Sequence, residues 1–121
     1  MKPFPFLLCL MRLFGCKAAD FRSVDADTFA HVIEDTTVIR LDVRTANEYA
    51  QGHIPGALLI DVTQADFMQK AEQLLPKDKT IALYCRSGRR SKNAAMQLAQ
   101  HGYQVVELNT GFNSWKGEIE R

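Results

Sequence analysis

Thr80, Ile81, Ala82, Leu83 and Tyr84 form an almost continuously apolar run that stops at Cys85. A strand of this composition is covered on both faces, as in a parallel sheet packed between helices, and not half-wetted as in most antiparallel sheets. That requirement limits the chain to folds in which strands and helices alternate.

The rest of the pattern meets it. Asp25 opens a predicted helix in which Ala26, Phe29, Val32 and Ile33 share one face and His31 points to the wet side, ending near Asp35. Val38, Ile39, Leu41 and Val43 read as a β-branched strand, followed by a helical turn over residues 45–51 and a short strand over residues 57–60. Phe67, Ala71, Leu74 and Leu75 mark a helix stopped by Pro76. After Cys85 come a helix with the stripe Ala94, Ala95, Leu98 and Ala99, a left-handed cap at Gly102, and a strand through Val105, Val106 and Leu108. A closing helix is expected from about Asn113, carrying Trp115 as a core anchor together with Ile119. The fold class is therefore α/β: a doubly wound, mainly parallel sheet of about five short strands with helices on both faces and right-handed crossovers. Ligands of such sheets bind beyond the carboxyl ends of the strands, which is where Cys85 lies.

With 121 residues, the chain suits one domain, expected over residues 20–121, preceded by an apolar lead-in over residues 1–19. The lead-in has three readings. Leu13-Phe14-Gly15 before Cys16 looks like a lipoprotein cleavage box, which would export the chain and anchor it through Cys16, but Arg12 interrupts the apolar run a signal peptide needs. The segment can also be an amphipathic extension, or translation can begin inside it. A cytoplasmic location is the first expectation and the exported lipoprotein the alternative. Three cysteines, Cys9, Cys16 and Cys85, make no disulfide framework. A net charge of +1 gives the chain no general attraction for nucleic acid, and no nucleotide or metal motif appears, so neither cofactor nor metal is expected.

Charge is nevertheless concentrated locally. Arg86, Arg89, Arg90 and Lys92 follow Cys85 with no carboxylate among them, and the next helix aims its free N–H groups and positive dipole end at the same loop. Gly88 permits the tight path, so the loop reads as an anion nest with a thiol at its floor. A free cysteine titrates near 8.5, leaving about 3 % thiolate at pH 7, and lowering that value by about two units takes roughly 2.7 kcal/mol. A helix end supplies about 0.3–1 kcal/mol, up to about 2 when partly buried, so arginines or loop N–H groups must supply the rest. Cys85 is on this argument a nucleophile. The histidines His31, His53 and His101 all have simpler structural roles than that of a base for it.

The series Leu41-Asp42-Val43-Arg44, Glu48-Tyr49, Gly52-His53-Ile54-Pro55-Gly56-Ala57 and Tyr84-Cys85-Arg86-Ser87-Gly88-Arg89-Arg90-Ser91 resembles the rhodanese family of sulfurtransferases, over about residues 21–118. The resemblance implies a sulfane sulfur taken from a donor such as thiosulfate as a Cys85 persulfide and passed to cyanide, a thiol or a protein acceptor. It implies that N–H groups of the loop Arg86, Ser87, Gly88, Arg89, Arg90 and Ser91 cradle the outer sulfur, with Arg86 and Arg90 holding an anionic donor. Asp42 and Arg44 would border the pocket and orient the loop through hydrogen bonds, while a structural salt bridge explains them as well; Glu48 and His53 would support the fold. Thr110-Gly111 departs from the two glycines found there in many relatives. A non-enzymatic persulfide carrier or anion-binding partner module is the alternative. A phosphatase or arsenate reductase fits less well, because those loops place arginine six positions after cysteine and Ser91 stands there. A monomer is expected.

Overall fold

The computed structural model describes residues 20–121; the lead-in, with Cys9, Cys16 and the readings attached to them, lies outside the described residues. Five parallel strands are ordered β1-β5-β4-β2-β3, where β1 is Arg22–Val24, β2 Ile39–Asp42, β3 Leu58–Leu59, β4 Thr80–Tyr84 and β5 Gln104–Leu108. The helices are α1 (Ala26–Val32), α2 (Ala46–Gln51), α3 (Phe67–Leu74) and α4 (Arg89–Gln100), with a 3₁₀ turn over Phe112–Ser114. Among the described residues no helix is long and apolar enough to cross a membrane.

The central strand explains its own composition. Ile81 and Leu83 of β4 face a core completed by Leu41, Val43, Val105 and the buried stripes of α3 and α4, including Phe67, Ala71 and Leu98. Ala82 and Tyr84 face a second core with Phe29 and Ile33 from the first helix and its cap, Ile54, Val106 and Leu108. Alternate residues of one strand thus fill two layers, and all of Ile81, Ala82, Leu83 and Tyr84 are fully buried. Asp25 caps α1 by accepting from the Thr28 N–H at 2.9 Å, and Gly102 takes φ +90° just past the end of α4.

Two expectations need correction, and one strand was not anticipated. The closing helix does not form: after the 3₁₀ turn the chain is extended at Trp115, Gly117 packs flat on the indole, and Glu120 makes an antiparallel bridge to His53 through bonds of 2.9 and 2.8 Å. A Cβ at Gly117 would stand 2.4 Å from the Trp115 ring, so this close approach replaces helical continuation. Trp115 is only half-buried, edge-on to Phe29 at 6.3 Å between centroids. Leu74 is not part of the buried stripe of α3; it is 57 % exposed, and Phe67, Ala71 and Leu75 fill the core. Finally, β1 has no apolar run to announce it, since Arg22 and Ser23 are exposed and its order comes from pairing with β5.

Leu98→Ala should therefore cost about 2–5 kcal/mol, whereas Leu74→Ala should stay within about 0.5 kcal/mol, measured as changes in urea-unfolding free energy. Equal losses would contradict this division of the two faces.

Candidate active site

β4 delivers Cys85 to the carboxyl end of the sheet, and α4 starts four residues later. Between them the loop turns at Gly88, with φ 99° and ψ −3°. A side chain is impossible there on two counts: the left-handed backbone, and the Asn109 carbonyl oxygen, which a Cβ would approach to 1.9 Å. From the other side, the turn after β5 grips the loop. The Phe112 N–H donates to the Cys85 carbonyl at 2.8 Å and the Asn113 N–H to the Arg86 carbonyl at 3.0 Å. Gly111 makes that contact possible, because a Cβ on it would lie 2.4 Å from the Arg86 oxygen. The Thr110-Gly111 departure thus leaves glycine at the crowded position.

The Cys85 side chain is 1 % exposed. The Gly88 N–H donates to Sγ at 3.1 Å, and the Ser91 hydroxyl lies 3.5 Å from it. Burial pushes the thiol up, but the Ser91 side chain and the N–H groups of Ser91, Gly88 and Ser87 outweigh it, and the net shift is downward. The donors required by the free-energy argument are therefore peptide N–H groups and a hydroxyl, not guanidinium groups.

Two carboxylates from distant segments meet the loop's cations. Arg90 reaches Glu48 with both terminal nitrogens, at 2.8 and 3.0 Å, and Arg86 Nε reaches it at 2.9 Å. Glu48 also closes a capping box with Thr45 at the start of α2. The Arg90 guanidinium, aided by the Thr45 N–H and by Arg86, holds the Glu48 carboxyl far below the ordinary carboxylate range against the effect of burial. On β5, fully buried Glu107 accepts from the hydroxyls of Ser91 at 2.5 Å and Ser23 at 2.6 Å, and from Lys92 Nζ at 3.2 Å. Arg89 and Ser87 are exposed at the rim.

A family model, described as "Rhodanese-like domain", matches residues 25–118. The chain belongs to the rhodanese-like family. It is 36 % identical over 94 residues to a sulfurtransferase of Allochromatium vinosum, covering 76 % of this chain and 85 % of that protein. It is 30 % identical to the thiosulfate sulfurtransferase GlpE of Pseudoalteromonas translucida, covering 79 % and 90 % respectively. Among solved structures, a rhodanese-like domain protein from Staphylococcus aureus superposes with a TM-score of 0.72 at 28 % identity, over 83 % of this chain and 97 % of that one.

Within this rhodanese-like domain, the expected loop-orienting role of Asp42 and Arg44 is corrected. Arg44 is bound to Asp42 by contacts of 2.7 to 3.1 Å and donates to the Gly52 carbonyl at 2.7 Å; neither side chain hydrogen-bonds to loop 85–91. Both are buried, and the Arg44 guanidinium lies 4.4 Å from the Phe112 ring centre. The pair is a structural salt bridge. Glu48, expected to support the fold, in addition holds two arginines of the loop. Glu107 was missed, though a single carboxylate inside Val105-Val106-Glu107-Leu108 signals a buried charge in need of partners. His53 stacks on Tyr49 at 3.6 Å, and His101 Nδ1 bonds to the Gln97 carbonyl. A depression of about 1030 Å³ lined by Phe21, His31, Tyr103 and Gln104 lies at the amino ends of the strands, away from Cys85.

Because folding holds the Glu48 carboxyl far below its unfolded value of about 4.3, its ionised form stabilises the native state fully above that value, and the stabilisation is lost progressively as pH falls from there through the much lower folded value. Glu48→Gln should therefore be less stable than the parent at pH 7, and the gap should narrow markedly by pH 2, measured by urea unfolding at both values. A gap independent of pH would remove the ion pairs as its cause.

Proposed function

We propose that Cys85 takes a sulfane sulfur from an anionic donor such as thiosulfate, carries it as a persulfide, and yields it to cyanide or a thiol, on a small molecule or a protein. The observation that carries this reading is the buried sulfur under the converging N–H groups of Ser87, Gly88 and Ser91, with its thiol pKa lowered. The thiolate attacks the outer sulfur of thiosulfate, the donor's S–S bond breaks, and sulfite leaves with the electron pair. The negative charge then sits on the outer persulfide sulfur, in a loop whose peptide dipoles favour an anion. An acceptor nucleophile takes that sulfur in the reverse sense and restores the thiolate.

Glu48 divides the work of the two arginines. Arg90 gives it both terminal nitrogens, while Arg86 engages it through Nε and is half exposed, leaving its two outer nitrogens for a donor's oxyanion. Glu48 thereby holds Arg90 as a fixed positive charge beside the loop. Relatives named as sulfurtransferases support the transfer reading, and the GlpE relative's name supports thiosulfate as the donor to try first.

Incubation with thiosulfate should add the mass of one sulfur atom to the intact protein, cyanide should remove it, and Cys85→Ser should never gain it while keeping the fold. Retained loading in Cys85→Ser, or no loading by any sulfane donor, overturns the mechanism. Arg90→Ala, which removes that fixed positive charge, should lower kcat/KM for thiosulfate about tenfold, a Coulomb effect of about 1.4 kcal/mol, and lower it less for a neutral donor. Steady-state kinetics with both donors decide; equal losses would assign Arg90 to the fold alone.

A further inference from the structure

Cys85 is buried, and every peptide group around its sulfur is a donor, so its proton has nowhere to go among them. Among the described residues, one hydrogen-bonded path leads from Sγ to a base: the Ser91 hydroxyl at 3.5 Å, then Glu107 Oε2 at 2.5 Å. The direction of the path follows from counting hydrogens. A hydroxyl has one, and Ser91 gives it to the carboxylate, so Ser91 meets the sulfur with a lone pair and accepts the thiol proton. The other Glu107 oxygen is held by the Ser23 hydroxyl at 2.6 Å. Glu107 stands between Ser23 of β1 and Leu83 of β4 in the sheet register and packs against α4, which presents Ser91 and Lys92. The charged or titratable groups facing it are thus Lys92 at 3.2 Å and, through Ser91, Cys85 itself.

We propose that Glu107 is a positioning residue that takes up the Cys85 proton through Ser91 as the persulfide forms and returns it when the sulfur has left. This deepens the sulfur-transfer reading and rests on it for its place in the cycle. In the forward step the S–H bond breaks and its proton passes to Ser91 Oγ, while the Ser91 hydroxyl proton passes to Glu107 Oε2. The freed pair on Sγ forms the bond to the outer sulfur of thiosulfate, whose S–S bond breaks with sulfite as the leaving group. Thiol, thiosulfate dianion and carboxylate become persulfide anion, sulfite dianion and carboxylic acid; total charge is unchanged and no outside oxidant is needed. Ser91, reprotonated from the sulfur side, can donate to Sγ while it is a thiolate, so one hydroxyl serves the thiol as acceptor and the thiolate as donor. Lys92 bonds also to the carbonyls of Gly88 and Asn109, fixing the carboxylate relative to the loop.

The test reads the thiol without requiring sulfur transfer. Alkylation of Cys85 by iodoacetamide is followed by intact mass from pH 5 to 9. An isolated thiol loses a factor of about ten in rate per pH unit below its pKa. A thiol that shares its proton with Glu107 keeps a pH-independent fraction of thiolate, so the parent protein should level off below neutrality. Glu107→Gln, near in shape and unable to take the proton, should fall tenfold per unit everywhere below its thiol pKa, and so should Ser91→Ala, which serves if the glutamine variant does not fold. Glu107→Asp, which keeps an ionisable carboxyl, should restore part of the plateau. A parent profile with the full slope and no plateau, or a plateau surviving in Glu107→Gln, overturns the proposal. Failure of the parent to load sulfur from thiosulfate or any sulfane donor would sink the transferase reading and leave the alkylation result to decide the proton path.

Discussion

The loop that holds Cys85 depends on two peptide hydrogen bonds from the turn behind it. The N–H groups of Phe112 and Asn113 bind the carbonyls of Cys85 and Arg86, which points those carbonyls away from the sulfur. With the acceptors turned outward, the N–H groups of the following residues face inward and favour the charged form of the sulfur. The two glycines at the crossing, Gly88 and Gly111, sit against carbonyls of the opposite segment, Asn109 and Arg86. The site is thus made from the ends of two neighbouring parallel strands, and it exists because β4 and β5 are paired in register.

Charge around that loop is balanced more closely than its own sequence implies. Four cations in a stretch without carboxylates suggest a strongly positive pocket, yet Glu48 from α2 and Glu107 from β5 engage three of them. The two carboxylates lie at different levels. Glu48 holds the arginines at the outer edge of the loop; Glu107 is fully buried beneath it, joined to the sulfur by one hydroxyl. A buried carboxylate costs several kcal/mol unless well paired, and two hydroxyls with an ammonium are the partners that make this one tenable.

Periodicity made the fold legible wherever an element buries one clear face. The strand ending at Tyr84, the stripe of α4 and the cap at Asp25 all follow from local pattern. β1 was not legible, because its three residues are ordered by pairing with a distant strand, and no local pattern encodes that. The closing helix was over-read for the opposite reason: Trp115 and Ile119 have helical spacing, but Gly117 against the indole and the Glu120–His53 bridge draw the segment out. At the site, the loop could be read because its residues are contiguous. Which carboxylates would meet them could not, since Glu48 and Glu107 lie 42 and 16 residues from their partners Arg90 and Ser91.

The buried Asp42–Arg44 pair shows how a residue beside a motif can influence a site without entering it. Its hydrogen bonds go to each other and to Gly52, yet the guanidinium packs on Phe112, the residue whose N–H holds the Cys85 carbonyl. Removing either partner would leave a buried charge alone, a loss of about 3–5 kcal/mol in comparable cases. A change at Asp42 would therefore lower activity by loosening the support of Phe112 and the fold together, and its effect would follow stability. A change at Glu48 or Glu107 acts on charges in contact with the loop, and its effect would follow pH. The two kinds of dependence are thus separate: the Asp42–Arg44 pair supports the turn that holds the Cys85 loop, while Glu48 and Glu107 pair with the loop's cations.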